Sequence, residues 1–544
     1  MDAIEKRNSF LTIAVALALA TAVLVVASKN MIVDLDLFHE LSLARQIDQE
    51  GLMPTKDSFA YTPTIDKVVH HEWLTGVFLY WLCVKLGGGS IALVACKYIL
   101  TIGITVGCFC YARRNGCALH LFATLAPLAL LVGGWIAFTN VRAQAFTLLF
   151  LVMTFWLLDV DRRGGRWWII VWLPLVMIWG NFHGGVVSGI GIIGCYGIAK
   201  TLEAYLATRS VAETFQSIRY LLLTGIATAA LINVSPYGTD YVPYLIRAIR
   251  LPRPLITEWD PIWATDVWSV IAIYLLTLGI AALAMWQYFS GDRKTNESFK
   301  FSAGLRTNDS KDQSPFVNLF PIMAVGLTAY LSAKHQRHGS LYAVTWICLV
   351  PPMLVGTSVD QVLSQMWIKY RQPIMIASFA FAIVAIGFSI NNRFWQLQIP
   401  SQTSSVDRKE VLYPVGPTDY LADQAFTGNL MAPFNYAAYV SWKTPTVKVS
   451  IDSRYEVAYP PGAVEESVAF YHALPGWEEQ LTNYPPDVIL LPQLAPLAVN
   501  HLETLQAMGW QPHYRDQSFL LLFPTGSSLP IVDRSTETIV GTFP

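Results

Sequence analysis

The sequence is poor in charge. Asp, Glu, Lys and Arg make up only 14% of its 544 residues, against 53% hydrophobic. A soluble chain of this length would carry nearly twice that charged share. The two signs almost cancel, with 37 Lys and Arg against 38 Asp and Glu, so nothing argues for a nucleic-acid partner. Cysteines are few as well. Cys83, Cys96, Cys108, Cys110, Cys117, Cys195 and Cys348 lie in or beside apolar segments, and the C-terminal region has none. No disulfide framework follows, and Cys108-x-Cys110 is not a zinc spacing. The chain has no internal repeat and no clear small-x-small cleavage site before Asp34. Its apolar start therefore reads as an uncleaved first membrane span, with Lys6 and Arg7 on the cytoplasmic side.

What the sequence does have is apolar length. Mean hydropathy is +0.41, and windows of roughly 15–22 apolar residues recur from residue 9 to residue 390. Spans are expected near 9–33, 90–112, 118–137, 143–160, 167–180, 185–200, 218–233, 268–289, 317–333, 340–356 and 373–390, about eleven in all. Alternate connections collect the basic residues: Arg113-Arg114, Arg162-Arg163 with Arg166, Lys200 to Arg219, Lys294, Lys300, Arg306 and Lys311, and Lys369 with Arg371. The positive-inside rule places these in the cytoplasm. The polar segment 291–315 reads as a flexible cytoplasmic loop. Residues 73–88 are apolar but short, and are expected to lie in or dip into the outer interface, with a short true span as the alternative.

From about residue 396 the character changes. Pro, Asp, Glu and Tyr increase, and the apolar runs NLMAPF (429–434), VKVSID (447–452), DVILLP (487–492) and SFLLLF (518–523) have strand length. Helical stretches near 417–426, 463–471 and 497–508 alternate with them. The fold expected is mainly α: a polytopic transmembrane helical bundle over 1–395, with a first outer loop at 34–72, and a C-terminal extracytoplasmic α/β domain over 396–544.

The connections left outside hold the chemistry. Asp34 and Asp36 follow the first span directly. On an extended segment they point the same way, and such a pair holds a metal ion or supplies a general base. The alternative is a solvated helix cap. Leu41, Ala44, Ile47 and Leu52 then have helical spacing, which suggests an amphipathic helix on the membrane surface ended by Gly51 and Pro54. His70-His71-Glu72-Trp73 follows, as a metal, proton or phosphate site or as an interfacial polar cluster. Zinc ranks low, because no H-x-x-x-H spacing exists here. Arg142 and Arg337 each stand at an outer span end, where a guanidinium suits a phosphate or snorkels to ordinary headgroups. Asn181 and His183 sit in a glycine-rich turn, as turn formers or cavity liners. Asn233 to Gly238, with Tyr237, is a turn by composition. Glu258-Trp259 is a carboxylate beside a sugar-stacking type of ring, or an interfacial belt residue. In the C-terminal region Asp452 and Arg454 are expected to pair across a strand end.

These residues together resemble the GT-C superfamily of membrane glycosyltransferases. That superfamily includes protein O-mannosyltransferases, aminoarabinose transferases and the catalytic subunit of oligosaccharyltransferase. Within it, the chain looks like a bacterial group of the lipopolysaccharide galacturonosyltransferase type. The pattern runs through Asp34 and Asp36, then Gly51, Pro54, Asp57, Phe59 and Thr62, then His71-Glu72-Trp73-Leu74. It continues with Asn181/His183, Asn233/Pro236/Tyr237 and Glu258/Trp259, and more loosely with Asp452-Ser453-Arg454.

The resemblance implies a polyprenyl-phosphate-linked sugar as donor and a glycolipid, glycan or protein as acceptor, with transfer on the outer face of a bacterial inner membrane. Asp34 or Asp36 would be the general base, Asp34 slightly favoured. Arg142, Arg337 and His338 would meet the donor phosphate. His70, His71, Glu72, Asn181, His183, Tyr237 and Glu258 would line the substrate cavity. No cofactor is certain; a divalent cation, Mg or Mn, is possible, held by Asp34 and Asp36 if present. The rival readings are a flippase or transporter for a lipid-linked saccharide and a non-catalytic membrane scaffold. A transporter would want charges in mid-span and internal pseudo-symmetry, and the chain shows no repeat.

Overall fold

The computed structural model describes residues 2–28, 31–54, 56–139, 142–251, 253, 256–289, 318–393, 395–402, 412–493 and 498–544. The expected loop at 291–315, with Lys294, Lys300, Arg306 and Lys311, lies outside the described residues. The chain divides into two compact units: Met1–Asn30, Ala95–Ser235 and Pro252–Trp395 form the first, and Met31–Val94, Pro236–Leu251 and Gln396–Pro544 the second.

The first unit is a helical bundle. Each apolar window named above holds a helix, with ends at Asp2–Ala27, Gly89–Arg114, Leu119–Thr139, Ala143–Arg162, Trp168–Phe182, Val186–Thr208, Val211–Leu231, Trp268–Phe289, Phe320–Lys334, Gly339–Met353 and Arg371–Asn391. Among the described residues six helices are long and apolar enough to cross a membrane, or seven if the bent pair Gln336–Met353 and Ser358–Lys369 makes one span. Leu119–Gly133 and Trp168–Phe182 are shorter apolar helices, which is why window counting and the length criterion diverge. The first helix ends at Ala27, not near residue 33.

Gly339–Met353 is the centre of this bundle, buried along almost its whole length. It crosses Leu119–Thr139 at a glycine contact: a Cβ on Gly133 would stand 1.9 Å from the carbonyl carbon of Gly339. Only backbone against backbone fits there. Asp161, fully buried, ties four helices at one end. It accepts from Arg166, from Trp168 Nε1 at 2.7 Å, from the Tyr196 hydroxyl at 2.5 Å and from the Tyr220 hydroxyl at 2.7 Å. Asp159 beside it accepts from Arg114 Nε at 2.7 Å and Arg163 Nε at 2.8 Å. A buried charge is tolerable when it is this fully paired.

The second unit is built on a six-stranded sheet. Its strands are β1 Gly428–Met431, β2 Val447–Val449, β3 Val488–Pro492, β4 Trp510–Arg515, β5 Phe519–Pro524 and β6 Val532–Asp533, in the order β2-β1-β3-β5-β4-β6. β1 pairs in parallel with β2 and β3, β5 runs antiparallel to β3 and β4, and β6 is parallel to β4. β3 and β5 read as apolar runs because both faces are covered. Leu490 and Leu521 enter one core cluster, and Ile489 and Leu522 the other. The four expected strands are present. β4, β6 and the helices Ala437–Lys443 and Glu478–Asn483 are additional.

Two helices from the N-terminal part of the chain belong to this unit, Leu35–Glu50 and Trp73–Tyr80, the latter continued by a π-turn to Lys85. Leu37 to Ala44 are all buried. The first half of Leu35–Glu50 is therefore interior, packed on Trp73–Tyr80 and Ala437–Lys443, and not an amphipathic helix with one free face. Its end is as expected: Gly51 adopts φ +70° and its N–H bonds the Ile47 carbonyl, a left-handed cap that glycine makes without strain.

Candidate functional site

Within the second unit, the acidic start of Leu35–Glu50 is a helix cap. Asp34 is the N-cap, and its Oδ1 accepts the Asp36 N–H at 3.0 Å. The pair does not sit on an extended strand, and the cap is buried, not solvated: Asp34 is 6% exposed. Asp36, in the first turn, is exposed. Four residues on, Glu40 shares its helix face and is buried at 8% exposure. Glu40 bonds Glu72, and burial, then Glu72, then Asp36 and Asp34, hold its carboxyl well above the usual range. The crossing of the two helices is tight here. A Cβ on Gly76 would lie 2.7 Å from the Glu40 carbonyl oxygen.

Glu72 leads on to His71, whose Nε2 is 3.1 Å from Glu72 Oε1 and whose Nδ1 is 2.8 Å from the Tyr244 hydroxyl. His39 and His70 stack with ring centroids 5.5 Å apart. Both are held well below the ordinary imidazole value, His39 by burial and then by Arg454, His70 by burial and then by His39, Arg454 and His71. The expected residues Asp34, Asp36, His70, His71, Glu72 and Tyr237 thus all belong to this unit. His39 and Glu40 join them, and their signal was helical spacing after Asp36.

The loop between the two helices is anchored to the C-terminal part of the unit. Arg454 meets Asp452 through Nε at 2.8 Å and Nη2 at 2.7 Å, and also bonds Asp57 through Nη1. The expected Asp452–Arg454 pair is there; Asp57 as a third member was not legible. The guanidinium lies 5.2 Å from the Phe59 ring, and the Thr62 hydroxyl donates to the Ser450 carbonyl at 2.5 Å. Asp57, Phe59 and Thr62 therefore act as one anchor for the segment that carries His70 to Glu72.

Within the first unit, Trp259 organises a cationic cluster. Arg253 lies 3.9 Å and Arg337 4.6 Å from its ring, with His335 at 5.0 Å and His338 at 6.0 Å. The 335–338 turn is fastened to the tryptophan strip by main-chain bonds. His335 Nδ1 donates to the Trp259 carbonyl at 2.6 Å, and the Gln336 N–H to the Asp260 carbonyl at 2.9 Å. Gln144 donates to the Arg337 carbonyl at 3.0 Å. Arg142 is engaged by Glu258, its Nη1 lying 2.8 and 3.0 Å from the two carboxylate oxygens. Arg142, Glu258, Arg337 and His338 are thus gathered around one indole strip. Arg253 is the member that the sequence did not single out.

Asn181 and His183 have local partners. Asn181 donates to the Met177 and Val234 carbonyls at 2.8 and 2.9 Å. His183 Nδ1 accepts from Gly185 N–H at 3.0 Å and pairs with the Thr147 hydroxyl at 2.7 Å, which itself accepts from Trp179 Nε1. These bonds fit turn formers in a glycine-rich corner.

Among the described residues no group of three or more His, Cys, Asp and Glu side chains is gathered to hold a metal ion. Asp34 with Asp36 offers two carboxylates, one of them capping a helix, where a hard divalent cation takes about six oxygen ligands. Among the described residues these two carboxylates by themselves do not fit a protein-made cation site.

No family model matches the chain, and no curated protein matches it. Among solved structures it is similar to the crystal structure of the Archaeoglobus fulgidus oligosaccharyltransferase tethered with an acceptor peptide containing the NVT sequon via a disulfide bond. The TM-score is 0.51 at 11% identity, covering 96% of this chain and 74% of that one. The apo form of the same enzyme gives 0.49 at 11% identity, over 96% and 75%. The first of these likenesses carries the fold expected from the apolar windows and strand-length runs: a polytopic helical part with a C-terminal α/β part.

Proposed function

We propose that the protein is a membrane glycosyltransferase that moves a sugar from a polyprenyl-phosphate-linked donor to an acceptor hydroxyl at the extracytoplasmic face of a bacterial inner membrane. The N-terminus is cytoplasmic in this reading and the C-terminal domain extracytoplasmic. The acceptor is a glycolipid, a glycan or a protein, and the motifs resemble those of the galacturonosyltransferase-like group. The observation that carries the reading is the start of the Leu35–Glu50 helix, where a buried cap, Asp34, presents an exposed carboxylate, Asp36.

The roles follow from the chemistry. The acceptor oxygen bonds to the anomeric carbon while the bond from that carbon to the phosphate oxygen breaks, its electron pair leaving on the phosphate. Asp36 takes the acceptor proton, and Asp34 fixes the turn that presents it. His70, His71, Glu72 and Tyr237 line the acceptor and sugar region. Arg337, with Arg253 and His338 at the Trp259 ring, meets the negative charge of the leaving phosphate. Arg142 acts through its pair with Glu258.

The deciding experiment is Asp36→Asn and Asp34→Asn at matched expression, read as the glycoconjugate profile of the host. Loss in Asp36→Asn is expected. Normal profiles in both would remove the catalytic reading and leave the scaffold.

A further inference from the structure

The helix Ser358–Lys369 stands at 90° to the apolar helix before it, which ends at Met353. The candidate span Arg371–Asn391 begins two residues after it ends. A helix so bracketed has no length of chain with which to leave the membrane face. Its inner side is satisfied by the bundle. Asp360 Oδ1 lies 2.6 Å from His120 Nε2, Asp360 Oδ2 accepts the Gly356 N–H at 2.8 Å, Trp367 Nε1 donates to Thr124 at 3.2 Å, and Ser358 accepts from Gln287 at 2.8 Å. The other side is open. Val362, Met366 and Tyr370 recur every four residues along it and are 55%, 49% and 45% exposed, an apolar strip on one face. Lys369 and Arg371 flank the end of that strip, with Lys369 Nζ 5.1 Å from the Tyr370 ring. The helix has one acidic residue, Asp360, and it is turned inward to His120.

We propose that Ser358–Lys369 lies in the plane of the membrane surface and docks on anionic lipid, with Val362 and Met366 among the acyl chains and Lys369 and Arg371 on headgroup phosphates. The charge pattern fits that occupant: an apolar strip, an aromatic ring at its end and two cations without an exposed acid are the features of an interfacial helix. The charge rule also puts this connection on the cytoplasmic side, whose leaflet carries the anionic lipids. The proposal stands apart from the transferase reading, because its test uses no turnover.

The experiment places the photo-crosslinking residue p-benzoylphenylalanine at Val362 or Met366 in the full chain. The protein is reconstituted in vesicles of phosphatidylcholine with phosphatidylglycerol, and adducts are identified by mass spectrometry. Lipid adducts are expected at both positions. Phosphatidylglycerol should be enriched over its share of the bilayer by roughly fivefold for each of the two basic side chains. Lys369→Gln with Arg371→Gln should return the adducts to bulk composition, and Lys369→Arg should keep the enrichment. Adducts to a second copy of the chain, no lipid adducts, or the same enrichment after both charges are removed would each overturn the proposal.

Discussion

Asp161 and Glu40 are both buried acids, one in each unit, and their surroundings are opposite. Asp161 has four donors on its two oxygens, from Arg166, Trp168, Tyr196 and Tyr220. Glu40 has its carboxyl raised by burial and by Glu72, Asp36 and Asp34, all of its own sign. A carboxylate surrounded by donors holds helices together. A carboxyl held among carboxylates resists folding unless it keeps a proton, and such arrangements cluster where protons are exchanged. The contrast separates framework from candidate chemistry without any appeal to sequence.

The sharpest way to break that contrast is at Asp161. Asp161→Ala leaves the Trp168 indole and the Tyr196 and Tyr220 phenols without their acceptor, beside the half-exposed Arg166, and should cost about 1–3 kcal/mol for each buried donor left unpaired. Loss of the monodisperse peak on heating, measured by fluorescence-detected size exclusion, checks it. A variant as heat-resistant as the parent would make the acid dispensable.

Asp36→Asn should do the reverse. Transfer should fall by about 10²–10⁴-fold with the melting temperature unchanged, since the side chain is exposed. Asp34→Ala should instead lower stability by about 0.5–2 kcal/mol through loss of the cap. Equal thermal shifts in both would erase the distinction drawn between them.

Glu40 sharpens the comparison through pH. Its folded-state value is raised, so above the ordinary unfolded carboxyl value the native state binds more protons, and stability falls as pH rises toward the raised value. Glu40→Gln should remove that decline. His39 and His70 have lowered values. Their contribution runs the other way: stability is lost as pH falls through the ordinary imidazole range, and this loss should survive in Glu40→Gln. A melting curve that keeps its decline with rising pH in the variant would show that Glu40 is not the cause.

The smallest effect is expected at Trp259. Trp259→Leu removes the face under Arg253 and Arg337, worth about 0.5–1 kcal/mol each, so the stability change should be modest. KM for a synthetic polyprenyl-phosphate sugar should rise as the guanidinium groups lose their orientation. A rise in KM no larger than that from Trp263→Leu, an exposed tryptophan nearby in the chain, would reduce Trp259 to packing.

Much of this was legible beforehand where a pattern is local. Apolar windows became helices because a membrane-length run leaves the backbone no other way to satisfy itself. Gly51 ended its helix where helical spacing ran out, and the strands at 447–449, 488–492 and 519–524 followed from short apolar runs. β4 escaped because WQPHYR alternates poorly and contains a proline. The early end of the first helix escaped because hydropathy does not register a backbone break. Asp34 and Asp36 stand out by position in the sequence, while the cap bond at Asp34 and the difference in exposure between the two are features of the folded chain.

Composition and periodicity by themselves determined that the chain is a polytopic helical protein with a C-terminal α/β part, because burial of apolar surface is additive along the chain and its period is visible residue by residue. Tertiary structure alone decided that Asp57 and Phe59 clamp Arg454, that Arg253 joins Arg337 at Trp259, and that Glu40 is an acid among acids. Most of these contacts join residues far apart in the chain, as Asp57 with Arg454, Arg337 with Trp259 and Glu40 with Glu72 do. A charge acquires its energy from the groups that surround it in space, and sequence order does not state which groups those are.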